Sequence, residues 1–184
     1  MPFPISALLV AGFWLAWPWL APQLLSLAPP SGRADLLVVL DGTPSRLAAA
    51  EGIADALPAA PQRLLIRCPS WPAAAQAMPE LLQGFDTATQ ITALAQWLQQ
   101  QKPLPKRVWI ATDPDHTARA VLNAQIALGP RGIHVGPPPP PASPAERRKL
   151  LRDALRLHLW RATGSTGAWL APELAARKRA ACGL

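Results

Sequence analysis

The stretch Asp35-Leu36-Leu37-Val38-Val39-Leu40 decides the fold class of this chain. An unbroken apolar run of this length is typical of a strand in a parallel sheet that is covered on both faces. The turn residues Asp41-Gly42-Thr43-Pro44 follow it directly, and residues 45–57 predict a helix. A strand that passes through a turn into a helix is the beginning of a β-α-β unit.

Further strands and helices alternate along the chain. Strands are predicted at 63–66, 107–112 and 132–135, and residues 71–79 show no regular pattern. Residues 87–101 carry apolar side chains at helical spacing, and the helix begins at Asp86 or Thr87 as N-cap. A further helix runs from Pro114 to Leu128, with Asp113 as its N-cap. The sequence therefore predicts an α/β fold, a Rossmann-like three-layer sandwich with a mostly parallel sheet.

The N-terminal segment predicts a membrane anchor. No charged residue occurs between residues 5 and 28, which is the length needed to cross the apolar core of a bilayer. A cleaved signal peptide and a buried core helix are the alternatives, and the absence of a basic stretch at the start of the chain argues against the first. We expect a single-pass anchor at 1–30 in a bacterial plasma membrane, an α/β domain at 31–170 and a basic tail at 171–184. The charges that flank the segment leave its orientation open.

The positive charge of the chain is concentrated near its C-terminus. The net charge is +7, and nine of the 18 lysines and arginines lie between Arg147 and Arg179. Residues 144–161 predict a basic helix that either rests on anionic lipid headgroups or is simply a solvated surface. Because no recognised nucleic-acid-binding module is present, we do not expect a nucleic-acid partner.

Three segments are expected to meet at the carboxyl edge of the sheet, where α/β proteins bind ligands. The residues in these segments that suit ligand binding are Asp41, Gly42, Arg46, Asp86, Thr87, Thr112, Asp113, His116 and Arg119. His116 and Arg119 are three residues apart in the first turns of one helix, so they share a face. Together they suit an anion, and His116 is also a candidate proton donor or acceptor. The alternative is that His116 is an ordinary surface residue and that the aspartates are only helix caps.

Several other chemistries have no motif here. The sequence lacks a glycine-rich dinucleotide loop, a phosphate-binding Walker loop, a zinc-protease motif and a nucleophile elbow, and we predict no metal site and name no cofactor. Cys68 and Cys182 are far apart in sequence. They could form a disulfide, or Cys68 could be a small buried side chain.

The segments that carry the candidate site resemble the YdcF-like family, which includes the SanA and ElyC envelope proteins. The resemblance covers about residues 35–170, and its most specific part is Ile110-Ala111-Thr112-Asp113-Pro114-Asp115-His116-Thr117-Ala118-Arg119-Ala120. Residues 86–90 match a second motif, but Thr89 and Gln90 replace the family's Glu and Asn. A C-terminal stretch around Trp160 is similar to cyanobacterial members.

The resemblance implies a Rossmann-like domain that acts in assembly of cell-envelope polymers, such as peptidoglycan, through a phosphorylated, lipid-linked or nucleotide-like ligand. It strengthens the assignment of His116 and Arg119, whereas the replaced Glu weakens the case for catalysis. Two alternatives stay open. One is a hydrolase or transferase in which His116 is the general acid or base, and the other is a non-catalytic module that docks on anionic lipid through the basic helix.

Overall fold

Five parallel strands form one sheet in the order β3-β2-β1-β4-β5. The computed structural model describes residues 33–41, 43–68 and 81–184, so the predicted anchor at 1–30 and Gly42 lie outside the described residues. The strands are β1 (Leu36–Leu40), β2 (Gln62–Arg67), β3 (Leu81–Gln83), β4 (Arg107–Ala111) and β5 (His134–Gly136). This is the strand order of Rossmann folds, and it confirms the predicted α/β class and the parallel sheet.

Within the described residues, five α-helices accompany these strands, and most begin where the sequence predicts. They are α1 (Pro44–Asp55), α2 (Thr87–Leu98), α3 (Pro114–Leu128), α4 (Pro144–Thr163) and α5 (Pro172–Cys182). Helix α2 is three residues shorter than predicted, and α4 is two residues longer. Among the described residues, no helix is both long and apolar enough to cross a membrane.

Strand β1 lies in the centre of the sheet, and each of its side chains is buried. Leu36, Val38 and Leu40 pack into a core that they share with α2, α3 and α4. Leu37 and Val39 point to the other face and pack against α1. Alternate side chains of a strand point to opposite faces, so a strand with helices on both sides needs apolar residues at every position.

The C-terminal part of helix α3 is enclosed on all sides. Its residues from Ala120 to Leu128 are all buried, including Asn123 and Gln125. A helix that is buried around its whole circumference needs cover on the side away from the sheet. Helix α4 supplies this cover with Ala154, Leu157 and Trp160, which belong to the same core.

Two elements depart from the sequence expectation. Strand β3 is only three residues long and lies at the edge of the sheet, directly after the segment without a regular pattern. Residues 171–184, expected as a basic tail, contain helix α5. A disulfide between Cys68, at the end of β2, and Cys182 joins this helix to the sheet.

Candidate functional site

The candidate site lies at the carboxyl edge of the sheet, between β1 and β4. From these neighbouring strands the chain passes to opposite faces, into α1 after β1 and into α3 after β4. Such a switch point opens a crevice, and ligands of α/β proteins bind there. Side chains bridge the crevice, because Ser45 Oγ and Arg46 Nε of α1 donate to the Asp113 carboxylate at 2.9 and 2.6 Å. The predicted convergence of these two segments is therefore confirmed.

Arg46 connects the two sides of the crevice, and it is buried despite its charge. Its Nη1 donates to the Leu40 carbonyl at 3.1 Å and also to the Asp41 carboxylate. Asp41 has a φ of 68°, a left-handed conformation that few residues other than glycine adopt. One guanidinium is thus held by two carboxylates, Asp41 and Asp113, and with the Leu40 carbonyl they accept from three of its five N–H donors.

Gln90 joins the second predicted segment to this network. Its side-chain amide is buried and donates to the Asp41 carboxylate. The first turn of α2 can approach the backbone at residue 84 because that residue is glycine. A Cβ there would lie 2.7 Å from the backbone nitrogen of Gln90. Gln90 is therefore a structural neighbour of the loop that follows β1.

Asp86 faces the C-terminal helices rather than the crevice. One carboxylate oxygen accepts from the Thr89 backbone N–H at 3.0 Å, which caps α2 as predicted, and the other binds Arg156 at 2.7 Å and Lys178 at 3.0 Å. Burial alone would raise the pKa of Asp86, but Arg156, the Thr89 N–H and Lys178 together lower it to about 2. These contacts join α2 to the C-terminal helices, and ligand binding by Asp86 stays a prediction.

His116 and Arg119 share a face of α3, as their spacing predicts, and both point at Glu146 of α4. Arg119 Nε lies 2.7 Å from the Glu146 carboxylate, and His116 Nδ1 lies 3.5 Å from the same oxygen. Arg119 Nη1 also lies 3.3 Å from Asp153, which is fully buried. Burial would raise the pKa of Glu146, but Lys149, Arg119 and His116 lower it, so the group is a carboxylate at neutral pH.

The sequence did not predict Glu146 as part of the site. Glu146 and Asp153 are seven residues apart, two helical turns, so they lie on the same face of an otherwise basic helix. Both are buried, although acidic side chains are rarely buried unless they are paired. Two acids at this spacing among arginines are the signal that α4 presents carboxylates to a cationic neighbour.

The remaining predicted residues have less direct roles. Thr112 is buried immediately after β4, and Thr87 is the first residue of α2. Asp113 occupies the N-cap position of α3, as predicted, but its side chain does not bond the helix backbone because it is turned toward Ser45 and Arg46. Burial would raise the pKa of Asp113, but the contacts with Arg46 and Ser45 lower it.

The geometry also bears on metal and proton chemistry. Asp113, Asp115 and His116 each place one ligand atom within 4.8 Å of the others, a spacing that could hold a divalent cation. The Asp113 carboxylate, however, is already bound by Ser45 and Arg46. For proton transfer, the relevant contact is the Glu146 carboxylate, which lies 3.5 Å from Nδ1 of His116 without a hydrogen bond between them.

Comparisons with protein families, curated proteins and solved structures return no match for this chain. The resemblance to the YdcF-like family stays a prediction from the sequence. Function is therefore inferred from the geometry at the switch point and from the chemistry of its side chains.

Proposed function

We propose that this chain is a membrane-anchored, YdcF-like protein that binds a phosphorylated or nucleotide-like ligand at the switch point, in the assembly of a cell-envelope polymer. One observation carries the proposal. Helices α1 and α3 both begin at the crevice, and neither Thr43 nor Asp113 caps its helix with its side chain. The N-terminus of a helix attracts anions through its backbone N–H groups and its dipole, and here two such ends meet.

The cationic side chains at the crevice support an anionic ligand, although carboxylates hold them in the structure described. Asp113 lies at the surface end of the Arg46 pair, with about a quarter of its side chain exposed, whereas Arg46 is nearly fully buried. A phosphate that reaches the crevice can take the place of the Asp113 carboxylate on Arg46 without moving the guanidinium. Arg46 then stays fixed by Asp41 and by the Leu40 carbonyl.

A second candidate function is hydrolysis or group transfer with His116 as general acid or base. The observation that favours it is the Glu146 carboxylate beside Nδ1 of His116. The carboxylate lies on the Nδ1 side of the ring, as the acidic member of a catalytic triad does, but no hydrogen bond joins the two groups in the structure described.

The test is direct binding to the purified full chain. Native mass spectrometry identifies a co-purifying ligand, and calorimetry measures binding of a nucleoside diphosphate, a polyprenyl phosphate and inorganic phosphate. We expect Arg46→Gln to weaken binding of the phosphorylated ligands at least tenfold, since hydrogen bonds to charged groups contribute about 1.5–3 kcal/mol. Arg63→Gln is the matched control, because Arg63 pairs with Glu51 on the surface away from the crevice. Unchanged affinity in a folded Arg46 variant would refute the proposal.

His116→Gln separates the two candidates. If the chain only binds, this variant loses affinity and the wild type does not alter the ligand. If the chain is an enzyme, mass spectrometry detects product with the wild type, and the variant binds ligand but forms no product.

A further inference from the structure

In the part of the chain that the structure describes, the strongly exposed apolar side chains are concentrated near the C-terminus. Within residues 33–41, 43–68 and 81–184, every large apolar side chain that is strongly exposed lies beyond residue 150. The most exposed are Trp169 and Leu170, each at 67%. Scattered single leucines are ordinary on a protein surface, but a concentration in one part of a chain indicates an interaction surface.

Leu151, Leu155, Leu159 and Leu170 form a connected surface, which the exposed Trp169 and Leu174 adjoin in sequence. Leu151, Leu155 and Leu159 are spaced four residues apart, so they follow one another along the outer face of α4. A Cβ on Gly167 would lie 2.8 Å from Cδ2 of Leu159 and 3.3 Å from Cδ1 of Leu170, so these two leucines border the same glycine. The surface made by Leu151, Leu155, Leu159, Trp169, Leu170 and Leu174 is called the C-terminal patch below.

Basic side chains flank the patch. Arg147, Arg148 and Arg152 are exposed on α4 on either side of Leu151, and Arg177 is exposed one turn beyond Leu174. Arg156 of the same helix is not available, because it is paired with Asp86 and Asp153 in a largely buried position. The exposed face of α4 therefore carries both leucines and arginines.

We propose that the C-terminal patch docks on the surface of a bilayer that contains anionic lipid. Leucine and tryptophan side chains enter the boundary between headgroups and acyl chains, and neighbouring arginines contact the phosphates. The charge of the patch is complementary to an anionic membrane, whereas a second copy of this chain would bring the same positive charge against it. If residues 1–30 also anchor the chain, docking is an intramolecular step, and a weak surface affinity is enough.

Docking does not depend on a ligand at the switch point, so the two proposals fail separately. The experiment is hydrogen exchange followed by mass spectrometry on the full chain, reconstituted in vesicles of phosphatidylcholine alone or with phosphatidylglycerol. We expect slower exchange in residues 148–174 only in vesicles with phosphatidylglycerol, and a partial return in high salt. Equal exchange in the two kinds of vesicle overturns the proposal.

Variants test which contacts carry the docking. Arg148→Gln should lower the equilibrium constant for docking about fivefold. This factor corresponds to the roughly 1 kcal/mol that one basic residue contributes near an anionic surface. Leu155→Ser should reduce protection in residues 148–174, and thermal unfolding shows that the variant still folds. Lys102→Gln, an exposed cation near the end of α2, is the control and should have no effect. Two results would show that the patch does not contact lipid. One is that the Leu155 variant keeps its protection from exchange, and the other is that this protection grows with the number of protein copies per vesicle.

Discussion

Asp86→Asn tests whether an ion-pair cluster joins the C-terminal helices to the sheet. The Asp86 carboxylate is the shared partner of Arg156 in α4 and Lys178 in α5, at 2.7 and 3.0 Å. Asparagine is also a good N-cap, so the variant keeps the cap of α2 and loses only the charge. The side chain of Asp86 is 10% exposed, so water screens these pairs less than it screens pairs on the surface.

The size of the effect follows from the pKa of Asp86. The carboxyl has a pKa of about 2 in the folded protein, against 3.8 for an aspartate side chain that is free of such contacts. A shift of nearly two units corresponds to about 2 kcal/mol of folding free energy at neutral pH. For a domain of this size, such a loss lowers the Tm by roughly 4–8 °C.

The pH dependence has a definite sign. Because the folded pKa is below the unfolded value, the stabilisation is complete above about pH 4 and is lost as the pH falls through about 2. Urea unfolding of the wild type and the variant should therefore differ by about 2 kcal/mol at pH 7 and converge near pH 2. Asp55→Asn, at the exposed end of α1, is the control for loss of one negative charge. Equal stability at pH 7, or a difference that does not change with pH, would refute the reasoning.

Three further variants test contacts at or near the site. Gly84→Ala should destabilise the fold by about 1–3 kcal/mol in urea unfolding, because the new methyl group meets the backbone of Gln90; a neutral result would show that α2 can shift. Cys182→Ser should lower stability by about 2–4 kcal/mol, since the disulfide with Cys68 closes a loop of more than a hundred residues, and exchange should accelerate in α5. Glu146→Gln should lower the free energy of unfolding by about 3 kcal/mol, because the largely buried guanidinium of Arg119 loses one of its two carboxylates. A smaller loss by calorimetry would mean that Asp153 alone suffices.

The fold class was predictable because its signals are local. The apolar run at 36–40 and the spacing of Ile91, Leu94 and Leu98 specify a strand and a helix whatever their partners. The strand order could not be predicted, since pairing joins residues that are far apart in sequence. Strand β3 was missed because three residues at the edge of a sheet carry no usable alternation.

The candidate site, like the fold, was predictable only where its signals are local in the sequence. The spacing of His116 and Arg119 places them on one face of a helix, and the structure confirms that they face one partner. That partner, Glu146, comes from a helix about 30 residues later, and no local pattern links the two. The same reason explains Asp86, whose cap position was predicted but whose cations come from two later helices.

The pairing of arginines with acids limits which ligands suit the switch point. Arg46 is bound by Asp41 and Asp113, and Arg119 by Glu146 and Asp153. The pKa values of Asp113 and Glu146 are lowered, so these carboxylates do not protonate near neutral pH and must be displaced as anions. Exchange of one anion for another yields little net free energy, so an isolated phosphate should bind weakly. A ligand with a nucleoside or a lipid beside its phosphate adds contacts that do not have to displace a carboxylate, and this favours such ligands over inorganic phosphate.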